Sequence, residues 1–201
     1  MINEKLFHPE SIAVIGASNN ISKPGGKIVR NLIDNGFAGE IYAVNPNETS
    51  VQGVPTFSSV DELPSVDLAV LAIAAQHCLP VVKTLTEHNA TKAFIIISAG
   101  FGETNDAGKK LEKEIVEDVN SHDACLIGPN CIGVMTPSHT SVFTTPIPKL
   151  TSDGCDFISG SGATAVFIIE SGIPKGLRFA NVFSVGNSAQ TGVEDLLAYL
   201  D

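Results

Sequence analysis

The sequence is short of cations. Lysine and arginine total 12 against 22 aspartates and glutamates, a net charge of −10 over 201 residues. Non-specific nucleic-acid binding needs a basic surface, so nucleic acid is set aside as a partner. The same deficit constrains any phosphate ligand. Long-range attraction is missing, and a site must rely on backbone N–H groups, a helix dipole and a few placed cations. No apolar run is long enough to span a bilayer, which argues against a membrane partner. The start, Met1-Ile2-Asn3-Glu4-Lys5, has no signal-peptide core, so the expected location is cytoplasmic. Cysteine is scarce as well. Cys78, Cys125, Cys131 and Cys155 contain no C-x-x-C pair, and the five histidines form no ligand cluster with each other or with cysteine. No metal held by this chain is expected. Cys78, Cys125 and Cys155 lie in apolar stretches and are expected to be buried, reduced thiols.

Hydrophobic residues make up 43% of the chain, enough to build a core, and the length suits one domain or two small ones. The organising stretch is Ile12-Ala13-Val14-Ile15-Gly16-Ala17-Ser18. An apolar run stops at a glycine and continues through Asn19, Lys23, Gly25 and Gly26 into a helix-like segment, Lys27 to Asn35. This reads as strand, tight loop and helix start, the place where an open α/β sheet seats a ligand's phosphates. Gly16 lets the backbone approach closely, Ser18 and Asn19 can donate hydrogen bonds, and Lys23 brings a positive charge.

Four more apolar runs follow, each ending in small or polar residues. Ile41 to Val44 ends in Asn45-Pro46, and Leu68 to Ile73 ends in Ala74. Ala93 to Ile97 ends in Ser98-Ala99-Gly100-Phe101-Gly102, where two glycines around a phenylalanine suggest a loop taking part in a site. Ala124 to Ile127 enters Gly128-Pro129-Asn130-Cys131. Helical patterns at 77–88 and 106–120 separate the later runs, so the pattern is a doubly wound parallel sheet whose strand-end loops converge at one edge. Two things a dinucleotide-binding fingerprint requires are missing: the compact G-x-G-x-x-G, and an acid at the end of the second strand, where Asn45 stands. Both departures point away from NAD and toward another nucleotide-like ligand.

From Met135 to Asp153 the texture becomes rich in proline, serine and threonine and reads as a linker-like crossing. A second unit begins with a strand at Cys155-Asp156-Phe157-Ile158-Ser159. The loop Gly160-Ser161-Gly162-Ala163 then opens a helix reaching Ser171, followed by a strand at 179–185 and a helix at 193–200. Two β-α units in about fifty residues bury a parallel sheet poorly. The expectation is that the chain is the start of a longer protein or packs its tail on a partner, and self-association is a further expectation.

Taken in order, Ala13 to Ser18, Tyr42-Ala43-Val44-Asn45-Pro46, Ile97 to Phe101 and Ile127-Gly128-Pro129-Asn130-Cys131-Ile132-Gly133-Val134 closely resemble the N-terminal part of NDP-forming acyl-CoA synthetases, such as ADP-forming acetate–CoA ligases. More distantly they resemble the alpha subunit of succinyl-CoA synthetase. The resemblance implies a Rossmann-like CoA-binding domain over residues 1–126, a linker over 127–150, and the start of a flavodoxin-like α/β domain over 151–201. It implies that Gly16, Ala17, Ser18, Asn19, Lys23 and Gly25 hold CoA phosphates. Asn45, Pro46, Ile73, Ala74, Ser98, Ala99, Gly100 and Phe101 would line the rest. Ser161 and Gly162 would receive a phosphate at a helix N-terminus, on free N–H donors. The implied reaction converts acid, CoA and NTP to acyl-CoA, NDP and phosphate through an acyl phosphate and a phosphohistidine, with an ATP-grasp unit elsewhere. None of His8, His77, His88, His122 and His139 matches the family's phosphorylated histidine, so no catalytic residue is assigned to this chain, and Cys131 reads as structural. The alternative function is a non-catalytic CoA-binding or sensing module.

Overall fold

A computed structural model describes residues 2–201. A short helix α1 (Glu4–Phe7) precedes β1 (Ser11–Ile15), α2 (Pro24–Asp34), β2 (Glu40–Val44), β3 (Thr56–Phe57), β4 (Leu68–Leu71), α3 (Cys78–Glu87), β5 (Ala93–Ile96), α4 (Asp106–Ser121) and β6 (Cys125–Ile127). The six strands form one parallel sheet in the order β3-β2-β1-β4-β5-β6. Chain order reverses direction between β1 and β4, which sit side by side with Ile12 opposite Leu68 and Ile15 opposite Leu71. In a doubly wound sheet the crevice beyond the strand ends at this reversal is where ligands bind.

The unbroken apolar runs are explained by what covers the sheet. Ile12, Val14, Leu68, Val70, Ile95, Cys125 and Ile127 face one cluster, with Ile28, Val29 and Leu32 of α2. Their neighbours Ala13, Ile15, Ala69, Leu71, Phe94, Ile96 and Leu126 face the other, with Val82 and Leu85 of α3 and Ile115 and Val119 of α4. Strands buried on both faces gain nothing from polar alternation.

The stretch 127–150 that reads as a linker holds two short strands between loops. It contains β7 (Gly133–Met135) and β8 (Thr140–Val142), an antiparallel hairpin. Then come β9 (Leu150–Ser159), α5 (Gly162–Gly172), β10 (Phe179–Ser184) and α6 (Val193–Leu200). A second sheet has the order β8-β7-β10-β9, with β10 antiparallel to β7 and parallel to β9. The two β-α units are therefore not left with a bare pair of strands: the hairpin completes their sheet. Val134, Phe183, Val185 and Leu196 of this part join the cluster under β1 and α2. Phe7 ties the two parts further, with its ring 4.8 Å from Tyr199 and 5.4 Å from Phe183.

Cys78, Cys125 and Cys131 are buried, but Cys155 is exposed. It sits on β9, the edge strand of the small sheet, where apolar composition does not bring burial because little packs over the edge.

Candidate functional site

The loop after β1 is shaped by three glycines. Gly16 has φ +85°, donates its N–H to the Val44 carbonyl at 2.9 Å, and leaves no room for a Cβ, which would lie 2.5 Å from the Ala72 carbonyl oxygen. A Cβ on Gly25 would run into the Gly16 carbonyl, and one on Gly26 into the Asn20 carbonyl. The loop is thus wound tightly against both the neighbouring strand end and the first turn of α2. Pro24 occupies the first turn, and no side chain caps the helix, so its leading N–H groups are left for other partners.

Ser18 is buried, and its hydroxyl donates to Glu48 Oε1 at 2.9 Å. The backbone N–H of Asn19 donates to Glu48 Oε2 at 3.0 Å, and the Asn19 side-chain amide donates to the same oxygen. These partners, the Ser18 hydroxyl first, hold the Glu48 carboxyl below the ordinary carboxylate range despite partial desolvation, with Lys23 adding a smaller attraction. The donors of this loop therefore hold an anion of the chain's own, the Glu48 carboxylate.

Asn45 does not point freely into the crevice. Its amide donates to the Ala17 carbonyl at 2.6 Å, and its Oδ1 accepts from Asn47 N–H at 2.8 Å. Gln52 clamps the other side, donating through Nε2 to the carbonyls of Ser18 at 2.9 Å and Gly26 at 2.8 Å. Pro46 and Lys23 are exposed at the rim. Glu48 and Gln52 escape sequence reasoning because they follow the strand that carries the motif and reach back about thirty residues. Their only signal is a polar run, Asn47 to Ser50, beside an otherwise small-residue loop.

Across the switch point, Ile73 is half-buried and Ala74 exposed. The Ser98 hydroxyl donates to the Ile73 carbonyl, joining the loops after β4 and β5. Ala99 is exposed, and Gly100, with φ +106°, turns the chain so that the next ring goes inward. Phe101 is fully buried against α4. Its side chain lines no crevice, contrary to the expectation from its flanking glycines. Two positions later, the Glu103 carboxylate accepts the backbone N–H groups of Gly100 at 2.5 Å and Phe101 at 3.2 Å.

Ser161 and Gly162 lie apart from the first loop, at the start of α5. An open cleft of about 370 Å³ is lined there by Ile97, Asn130, Cys131, Ile132 and Phe143 and by Gly160 to Ala163. Asn130 N–H donates to the Ser98 carbonyl at 2.9 Å, so the loop after β5 borders the cleft. Ser161 caps the helix through its Oγ, which accepts from Thr164 N–H at 3.3 Å. Its own N–H is not free, as it donates to Ser159 Oγ at 3.2 Å. That corrects half of the expected donor pair. Gly162 is the first helical residue, where an N–H has no intrahelical acceptor, and a Cβ there would press on Ile132. Cys131 is sealed beneath the cleft. Its thiol donates to the Ile96 carbonyl at 3.3 Å, and burial pushes its pKa up to about 12. No nucleophile is available from it. Among the described residues no group of three or more histidines, cysteines or acids could hold a metal ion.

A parallel sheet whose strand order reverses, a glycine-wound loop at the reversal that holds the Glu48 carboxylate, and a separate helix N-terminus at α5 define a doubly wound α/β protein with a strand-end crevice. Residues 10–137 match the CoA binding domain and residues 152–201 the succinyl-CoA ligase like flavodoxin domain. The chain belongs to the CoA-binding domain family, with a succinyl-CoA-ligase-like flavodoxin segment following. It is 40% identical over 198 residues to the acetate–CoA ligase [ADP-forming] II subunit alpha of Pyrococcus furiosus, covering 97% of this chain and 42% of that one. It is 36% identical to acetate–CoA ligase [ADP-forming] I of Archaeoglobus fulgidus, covering 98% of this chain and 28% of that one. Among solved structures, the acetyl-coenzyme A synthetase 1 of Ca. Korarchaeum cryptofilum, in complex with phosphate and ADP, superposes with a TM-score of 0.89 at 30% identity, covering 98% of this chain and 42% of that one. The chain thus spans less than half the length of these relatives.

Proposed function

We propose that this chain is the CoA-binding and phosphate-receiving part of an NDP-forming acyl-CoA synthetase. The overall reaction makes acyl-CoA, NDP and phosphate from a carboxylic acid, CoA and NTP, by way of an acyl phosphate and a phosphohistidine on parts outside these residues. The observation that carries the reading is the anion seat at the sheet reversal. Ser18 and Asn19 already hold a carboxylate there, in a chain whose relatives are ADP-forming CoA ligases.

In this reading the loop from Gly16 to Gly25 binds the phosphates of CoA, and Lys23 at its rim supplies a charge. Gly25 and Gly26 permit the loop's close winding, and Asn45 fixes its shape rather than touching ligand. The ends of β4 and β5, at Ile73-Ala74 and Ser98-Ala99-Gly100, flank the remainder of the molecule. Gly162 N–H and the positive end of the α5 dipole receive a phosphoryl group. The CoA site and the phosphate cleft share a border at Ser98 and Asn130, a reason for a thiol on one and a phosphoryl group on the other to meet. Partners are CoA, phosphate and the remaining synthetase parts, including an ATP-grasp unit.

The test is calorimetric titration with CoA, dephospho-CoA and NAD. Saturable CoA binding that is lost in Ser18→Glu, with NAD much weaker, supports the reading. Tighter binding of NAD than of CoA, or full ligase turnover by residues 1–201 alone, overturns it.

A further inference from the structure

We propose that Glu48 is an internal anion which sets the affinity and selectivity of the first loop: a ligand's phosphate must displace it to bind. This rests on the reading that the loop takes a phosphate-bearing ligand.

The carboxylate accepts from the buried Ser18 hydroxyl and from both the backbone and side-chain N–H of Asn19, with the Asn45 amide 3.5 Å from Oε1. It is delivered there by the segment that follows β2. Asn47 N–H folds onto Asn45 Oδ1. The Asn19 amide also reaches the Ser50 carbonyl at 2.7 Å, and Gln52 N–H returns to Asn19 Oδ1 at 2.9 Å. Residues 45–52 therefore lie across the loop as a strap, with one carboxylate on its underside. A phosphate using Ser18 and Asn19 would compete for the same donors and repel the carboxylate at close range. The two cannot share the seat. Displacement costs every phosphate-bearing ligand the charged hydrogen bonds that Glu48 gives up, and costs a ligand without phosphates nothing. A single fixed negative charge thus filters for ligands that bring more charge than it does.

The strap is not anchored only by this carboxylate. Gln52 holds the carbonyls of Ser18 and Gly26, and Asn45 holds that of Ala17. Removing the charge of Glu48 leaves those ties in place, so the loop retains its shape in the variants that test the idea.

The experiment uses the intact protein and its Glu48→Gln and Glu48→Ala variants, titrated with CoA, with pantetheine, which has no phosphate, and with inorganic pyrophosphate. Both variants should bind CoA and pyrophosphate about tenfold more tightly, the scale set by one set of charged hydrogen bonds no longer in competition. Pantetheine affinity should be unchanged. Equal or weaker CoA and pyrophosphate binding in both variants overturns the proposal, because Glu48 would then be a bystander or a ligand contact. A parallel gain for pantetheine also overturns it, since loosening of the loop rather than charge competition would be the cause. If the parent protein binds no CoA, the functional reading fails. The pyrophosphate titration then still decides the role of Glu48.

Discussion

The side-chain amide of Asn187 donates to Glu103 Oε2 at 2.6 Å, across 84 positions of sequence. The same nitrogen reaches Glu112 Oε2 at 2.9 Å, and Asn130 donates to Asn187 Oδ1 at 3.3 Å. Glu103 in turn holds the backbone of Gly100 and Phe101. One amide on the loop after β10 therefore braces the loop after β5, where the proposed CoA and phosphate sites meet. Asn187→Ala should cost only about 1 kcal/mol of stability, because Glu103 is exposed and its bonds are weakened by solvent. Its sharper effect should be local. Amide hydrogen exchange at Gly100 to Gly102 should accelerate while the β1 to β6 core stays protected. Unchanged exchange at Gly100 would show that the brace is idle.

His139 carries a pH dependence. It is buried, and Nε2–H donates to the Leu6 carbonyl at 2.8 Å, which leaves Nδ1 to accept from the Ser141 hydroxyl at 2.8 Å. Burial drops its pKa from 6.5 to about 4. The folded state then binds fewer protons than the unfolded one between these values, so stability falls as pH falls from about 6.5 to about 4. The loss approaches roughly 3 kcal/mol at full protonation. Urea midpoints measured across this range should show the decline, and His139→Gln should remove most of that slope. An unaltered slope in the variant would assign it to the carboxylates.

Glycine substitutions should separate by space rather than by residue type. A Cβ on Gly25 has no room beside the Gly16 carbonyl, whereas one on Gly160 meets nothing within 4 Å. Gly25→Ala should destabilise by about 2–4 kcal/mol and disturb the first loop, with Gly160→Ala within about 0.5 kcal/mol of the parent. Thermal or chemical unfolding reads both. Similar costs at the two sites would contradict the close winding of the loop.

Thiol labelling should be ordered. Cys155 is exposed, while Cys78, Cys125 and Cys131 are buried, with burial raising their pKa values to about 12, 11 and 12. A thiol reagent at neutral pH should modify one cysteine in the native protein and all four after unfolding. Rapid native labelling of Cys131 would mean that the cleft floor opens.

Much of the first sheet was readable because its signals are local. Ile12 to Ile15 is a short apolar run that Gly16 stops, Gly128 stops the run at Ile127 in the same way, and the runs ending at Ile73 and Ile97 give way to the small residues Ala74 and Ser98. What was not readable depends on distant partners. β7 and β8 have three residues each and sit among prolines and hydroxyl residues. They become strands by pairing with one another and by placing Met135 opposite Val182 on β10. Phe101 looked exposed between glycines, yet the positive φ of Gly100 aims its ring under the sheet. The places of Gly16, Ser18 and Ser98 in strand-end loops and of Gly162 at a helix start were legible. The carboxylate on Ser18 and the hydroxyl on Ser161 N–H were not, because each is a side chain choosing one donor among several.

The cluster beneath β1 and α2 also contains Val134, Phe183, Val185 and Leu196. Two family segments meet in one oil drop, and heat or denaturant will not respect the boundary between them. Melting should register a single cooperative event, and a cut between residues 137 and 152 should yield not two modules but two sticky halves.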